Sequence, residues 1–498
     1  MRRGLLRCFY GMFGGLLALL LAACCASWTH NAPAALAVAA VLAAGMWAAL
    51  RWLGPWVDRW PRRRFLAVYL GVGAAYLAWL LALGWGMAYV LLSDLGVVYE
   101  SLPELLANGH FTAYNDYYVA CTNNLGLALL LDLAYRVAGW FGVHPDQAGI
   151  YAGVTFSCLA IAAALLLFGY GLRLLTGRRS AALLFLLGGA ALAPLWFWAP
   201  YFYSDTLCLP FLALAFVCWG RWRQRPHPGW AAGYGAAVFA GGAVKGSVLV
   251  MLVAGVLGLV FAVGTASGKQ RQQAAAALLL TFALFQGGYG LFQQRFIDWT
   301  SRQAVGFPTE LWICYGSHDE GDYSQADVDA CRALPTLADR RAMLREQIVR
   351  NYAARGLAGN GRFWLHKAVR TWGDGLYGAE EYAATPLHTS WTGVFALPGQ
   401  RWHMPMVYYA QSWQYLLLGL ACAGALAAAR RGAEELFLPC VGQFGVMLFL
   451  SFWETKARYG LHFAPVLLLC AVGGLAVWTS RPARKEVCPD AVPADRGG

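Results

Sequence analysis

Apolar runs of about 20 residues recur from one end of this 498-residue sequence to the other, and they leave few folds open. Each run is long enough to cross roughly 30 Å of hydrocarbon as a helix. They lie near 8–28, 32–53, 65–92, 147–172, 180–200, 206–220, 229–244, 246–264, 274–293, 405–429, 436–452 and 459–479. The pattern predicts an all-α polytopic membrane protein of about 12 transmembrane helices, and a composition of 59% hydrophobic and 13% charged residues agrees. Arg2, Arg3 and Arg7 ahead of the first run would also suit a signal peptide. No small-residue cleavage site leads into a soluble domain, because Ala32 opens another run, so the first helix is expected to be retained.

Basic residues cluster at 51–64, 178–179, 221–225, 269–271, 430–431 and 481–485. Under the positive-inside rule all six face the cytoplasm of a cell-membrane protein. The net charge of +12 therefore reflects topology and gives no reason to expect a nucleic-acid partner. One further run, 123–143, is apolar enough to span, yet a crossing there would invert every later cluster. It carries Asp132 and Arg136 one helical turn apart. An interfacial or re-entrant helix along the outer leaflet resolves the conflict; a true span with a buried Asp132–Arg136 pair is the alternative.

With both termini inside, the chain divides into four parts. Residues 1–293 form a transmembrane catalytic core with a first outer loop at 93–147, and 294–404 form an extracytoplasmic segment with a helix near 337–356. Residues 405–480 form the C-terminal transmembrane helices, and 481–498 a cytoplasmic tail. Most of the 13 cysteines sit in apolar runs and pack as small hydrophobes. Cys314 and Cys331 fall in the outer segment, as a disulfide or as two free thiols, and no Cys/His spacing reads as a zinc site.

The few acids at membrane boundaries are functional candidates, since misplacing one costs several kcal/mol. Asp94 reads as the end of the 65–92 helix, at the negative pole of its dipole, a placement that suits a general base. Asp205, in the break Tyr203-Ser204-Asp205-Thr206, opens the next span and doubles as a plain cap. Lys245, beside Gly246, either snorkels to headgroups or binds a phosphate. In the short turn from Trp453 to Tyr459, Arg458 is placed to clamp a phosphate with Glu454 holding it; a local Glu454–Arg458 ion pair is the simpler reading. Lys456 and Tyr459 share that turn, and Asn123 and Asn124 add amides of the kind that recognise sugars.

The order of these features resembles the GT-C class of polytopic glycosyltransferases, which includes the protein O-mannosyltransferase and lipid A aminoarabinose transferase groups. More closely it resembles bacterial integral membrane proteins described as family-39-like. The stretches that carry the resemblance are SDLGVVYESLPELLANGHF, TNNLGLALLLDLAYRV, FYSDTLCLPF, GFPTELWICYG, TWGDGLYGAEE and WETKARYGLHFAP. Departures occur at Thr122, Gly246 and Ala457, where such members often carry Pro, Pro and Ser. The resemblance implies that Asp94 acts as base on the acceptor and that Asp205 positions the acceptor or a divalent metal. It also implies that Arg458, with Lys245, holds the phosphate of a polyprenyl-phosphate sugar. The expected partners are that donor, membrane lipid and an extracytoplasmic acceptor, with no other cofactor certain. A lipid or sugar transporter or flippase, in which Asp94, Asp205 and Lys245 are coupling charges, and a lipid-linked polymer polymerase or ligase are the rival readings.

Overall fold

Helices start where the sequence supplies caps. The Asn31 side chain accepts from Ala34 N at 3.1 Å with Pro33 in the first turn, which fixes the start of the Ala32–Ala48 helix. A capping box between Ser267 and Gln270 opens Gly268–Gln293. The computed structural model describes residues 2–480 except 29, 262, 263, 265, 319 and 388–390. The expected tail at 481–498, with its basic cluster, lies outside the described residues.

The described chain is helical, and no β-strand forms among the described residues beyond an isolated bridge between Tyr89 and Pro386. A helix falls within each of the twelve apolar stretches. Among the described residues, seven helices are long and apolar enough to cross a membrane: Arg3–Ser27, Ala32–Asp58, Arg62–Gly86, Ile150–Thr176, Gly268–Gln293, His403–Arg431 and Ala457–Thr479. Others, such as Arg179–Ala190, Gly246–Phe261 and Phe437–Phe452, are apolar but shorter.

Small residues set how closely the bundle packs. A Cβ on Gly474 would lie 2.2 Å from the Gly424 Cα, so His403–Arg431 and Ala464–Thr479 cross backbone on backbone. The 51–64, 178–179 and 430–431 stretches meet at one end of the bundle. There the Arg178 guanidinium donates to Asp58 (3.2 Å), Leu50 O (3.0 Å) and Thr479 (2.7 Å), and Arg431 donates to Ser480 O at 2.8 Å.

Two expectations are corrected here. The 65–92 run is not one helix: Arg62–Gly86 stops early, and 87–92 runs on as an extended link. That link is bonded to a distant segment, Val90 N to Thr385 O (2.9 Å) and Leu387 N to Ala88 O (2.8 Å). Asp94 therefore lies in the first turn of the next helix, Ser93–Asn108, where the dipole favours an anion. The helix expected near 337–356 continues to Trp372, broken at Gly356, whose φ of 62° and ψ of −175° no L-residue adopts readily.

The 123–143 run forms the helix Leu125–Gly139. Its 15 residues rise about 22 Å, short of the hydrocarbon thickness. Leu131 and Tyr135 face the bundle, while Leu133, Val137, Trp140 and Phe141 are exposed. The Asp132–Arg136 pair forms at 2.8 Å, with Arg136 about half exposed and Asp132 mostly buried.

Candidate functional site

At the end of the bundle opposite the basic clusters, a cavity of about 2270 Å³ opens between the helical core and residues 293–332. Asp94, Asn123, Asn124, Tyr203, Lys245, Glu454, Lys456, Arg458 and Tyr459 all line it. Asp205 does not: it is fully buried beneath the wall.

Asp94 is aimed by two phenols. Tyr117 donates to Oδ1 at 3.0 Å and the Tyr203 hydroxyl lies 3.3 Å from Oδ2. Asn124 fixes both, donating to the Tyr117 hydroxyl at 2.8 Å and lying within 3.2 Å of the Tyr203 hydroxyl, while Asn123 donates to Asn124 at 3.1 Å. Burial first, and then the neighbouring Asp94 charge, push the Tyr117 phenol well above its ordinary pKa, so it remains a donor. The residue before Asp94, Ser93, sits at φ 55°, a left-handed conformation uncommon for a serine. The Tyr201 hydroxyl pins the adjacent Leu92 carbonyl at 2.6 Å.

Tyr203 joins this carboxylate to the cations. The Arg458 guanidinium carbon lies 5.1 Å from its ring centre and Lys245 Nζ 5.9 Å; Lys245 is also 4.8 Å from the Tyr459 ring. Lys245 is ion-paired to Asp205 at 2.7 Å. His462 Nδ1 is 3.8 Å from the same Asp205 oxygen, and its Nε2 meets Ser247 Oγ at 2.8 Å. Arg458 differs from Lys245. Its Nη1 donates to the Tyr382 hydroxyl at 3.0 Å, its Nε is buried with no hydrogen-bond partner, and no carboxylate among the described residues lies within 4 Å of it. A guanidinium held this way retains unspent capacity for an anion entering the cavity.

Residues 62–477 match the family described as "Conserved hypothetical integral membrane protein". The chain belongs to that family. It is an integral membrane protein with several apolar helices. Among curated proteins, none matches the chain.

In this family member the late turn is built otherwise than the sequence suggests. Glu454 does not hold Arg458. It accepts from the Tyr459 hydroxyl at 3.0 Å and lies 3.8 Å from Lys456, because residues 453 and 456 are extended and four-residue spacing brings no side chains together outside a helix. Burial raises the Glu454 carboxyl above the usual range, against the pull of Lys456, the Tyr459 hydroxyl and Arg458. Lys245 is not a free phosphate ligand either, since Asp205 already engages it. Cys314 and Cys331 are both buried free thiols.

Sequence reasoning missed Tyr382, the partner of Arg458, and His462, which packs against Asp205, although His462 lies within a stretch that carries the resemblance. It also missed Lys367. This buried lysine donates to the carbonyls of Gly316 (2.6 Å), Trp453 (2.8 Å) and Ser451 (3.0 Å), tying the long 294–404 segment to the start of the late turn. Burial lowers its pKa to about 7, helped by Arg355 and opposed by Glu454. Its folded pKa is thus below its unfolded one, and the unfolded chain binds the extra proton between pH about 7 and about 10. Stability is expected to rise with pH across that window, and Lys367→Met to flatten the rise in thermal melts of the detergent-solubilised protein. An unchanged slope in the variant would assign the pH dependence elsewhere.

Proposed function

We propose that this protein is a membrane glycosyltransferase that moves a sugar from a polyprenyl-phosphate donor to an acceptor hydroxyl, with inversion at the anomeric carbon. The observation that carries this reading is one cavity wall holding both a doubly hydrogen-bonded carboxylate, Asp94, and an arginine, Arg458, with no carboxylate partner among the described residues, joined through Tyr203. The reading takes the chain as about twelve spans with both termini and the basic clusters in the cytoplasm, so that the cavity opens on the outer side. In this reading the described residues of 294–332 form its roof and the Leu125–Gly139 helix lies along the outer leaflet, with Trp140 and Phe141 in the interface.

In the proposed reaction the donor phosphate rests on Arg458, and Asp94 takes the proton of an acceptor hydroxyl. The acceptor oxygen bonds to the anomeric carbon as the bond from that carbon to the phosphate oxygen breaks, and the electron pair leaves with polyprenyl phosphate. Phosphate is a good leaving group, so no general acid is needed. Asp205 is a positioning residue in this scheme: its ion pair holds Lys245 in place along the wall.

The test is incubation of membranes containing the protein with a panel of labelled polyprenyl-phosphate sugars, measuring sugar transfer and free polyprenyl phosphate. One donor is expected to be consumed. Arg458→Ala is expected to weaken that donor's binding by about 10- to 100-fold, the worth of a charge-assisted hydrogen bond or two. Consumption of no donor, or a donor affinity indifferent to Arg458, would remove the proposal.

A further inference from the structure

Away from the cavity wall, the 294–404 segment holds a second cluster of chemically active side chains. Cys314 Sγ, His318 Nε2 and one Asp327 carboxylate oxygen all lie within 4.8 Å of one another. His318 Nε2 is 3.8 Å from the sulfur and 2.6 Å from Asp327 Oδ2. The three come from separate pieces of backbone: the Glu310–Tyr315 helix, the turn after it, and the Gln325–Ala333 helix. Gln347, from a fourth piece, points its amide at both His318 (3.3 Å) and Asp327 (3.1 Å). Cys314 and Asp327 are buried, while the His318 side chain is about one-third exposed and leaves a way in.

We infer that these residues form a transition-metal site, with zinc as the ion its chemistry fits best. A thiolate, an imidazole and a carboxylate are the N, S and O ligands of tetrahedral zinc, and hard cations such as magnesium do not select a sulfur. Tetrahedral bonds of about 2.0 Å to nitrogen and oxygen and about 2.3 Å to sulfur put ligand atoms about 3.3–3.6 Å apart. The present sulfur–nitrogen spacing is close to that; the His318–Asp327 hydrogen bond must open by about 0.7 Å as the ion replaces its proton. On binding, the Cys314 thiol proton goes to solvent and the imidazole proton moves to Nδ1, leaving Nε2 as ligand. The Gln347 amide oxygen, after an amide flip, or a water takes the fourth position.

The ion would act on the roof of the cavity. Leu311, Trp312, Tyr315 and Val328, from the same two helices, line the cavity, and Leu311, Tyr315 and Val328 also join Cys314, Cys331 and Leu344 in a small hydrophobic cluster. So small a core is commonly reinforced by a metal. This inference stands whether or not the chain transfers sugars.

The test uses the full chain purified in detergent, stripped with a chelator, reloaded with zinc or cobalt and desalted. About one metal ion per chain is expected, and the cobalt form should show thiolate charge-transfer absorption and the visible bands of a tetrahedral site. Cys314→Ser should abolish that absorption, whereas Cys331→Ser, at the neighbouring buried thiol, should keep it. His318→Gln, at the most exposed ligand, serves if the buried substitution prevents folding, and should reduce bound metal to background. Background metal in the native protein, or metal binding that survives both Cys314→Ser and His318→Gln, would overturn the assignment.

Discussion

Asp94→Asn is expected to lower glycosyl transfer by about 10²- to 10⁴-fold, the usual worth of a positioned general base, while the protein inserts and melts as before. The amide keeps one oxygen for the Tyr117 hydroxyl, and its NH2 donates to the Tyr203 hydroxyl, whose own proton turns to Asn124 Oδ1 at 3.2 Å, so the local network has little reason to rearrange. What it loses is the ability to take a proton. Donor binding, which the proposal assigns to Arg458, should change little. Measuring transfer and donor affinity side by side separates the two: full activity in the variant would remove Asp94 as base, and a lost donor affinity would move it into the binding wall.

The second large effect is on stability. Asp205 is fully buried and its carboxylate is 2.7 Å from Lys245, itself 14% exposed. Removing one member of a buried pair leaves the other charge stranded, and such changes cost about 3–5 kcal/mol. Asp205→Ala is therefore expected to depress the thermal midpoint strongly in detergent. The paired change Asp205→Leu with Lys245→Met, which replaces both charges by apolar groups, should recover most of the loss without restoring transfer. A midpoint untouched by Asp205→Ala would show that the pair holds nothing together.

The helical framework was largely legible in the sequence because a backbone in hydrocarbon must satisfy its own hydrogen bonds, and long apolar runs report that directly. The 65–92 run shows the limit. Ala88-Tyr89-Val90-Leu91-Leu92 is as apolar as a span, but its backbone bonds to 385–387, and no local pattern announces a partner almost 300 residues away. Asp94, Asp205, Lys245 and Arg458 stood out because charge is scarce in such a chain. Tyr382 did not, since a phenol among 24 tyrosines carries no signal until the fold sets it beside a guanidinium. Glu454 was assigned to Arg458 by spacing alone, and the extended turn sends it to Tyr459 instead. The Cys314, His318 and Asp327 cluster matches no spacing template, because its carboxylate arrives from the following helix.

The backbone seam between 88–90 and 385–387 has a mechanical consequence. It rivets the stretch leading into Asp94 to the far end of the 294–404 segment. Substitutions around 385–387 are therefore able to misplace the carboxylate without touching the cavity wall themselves.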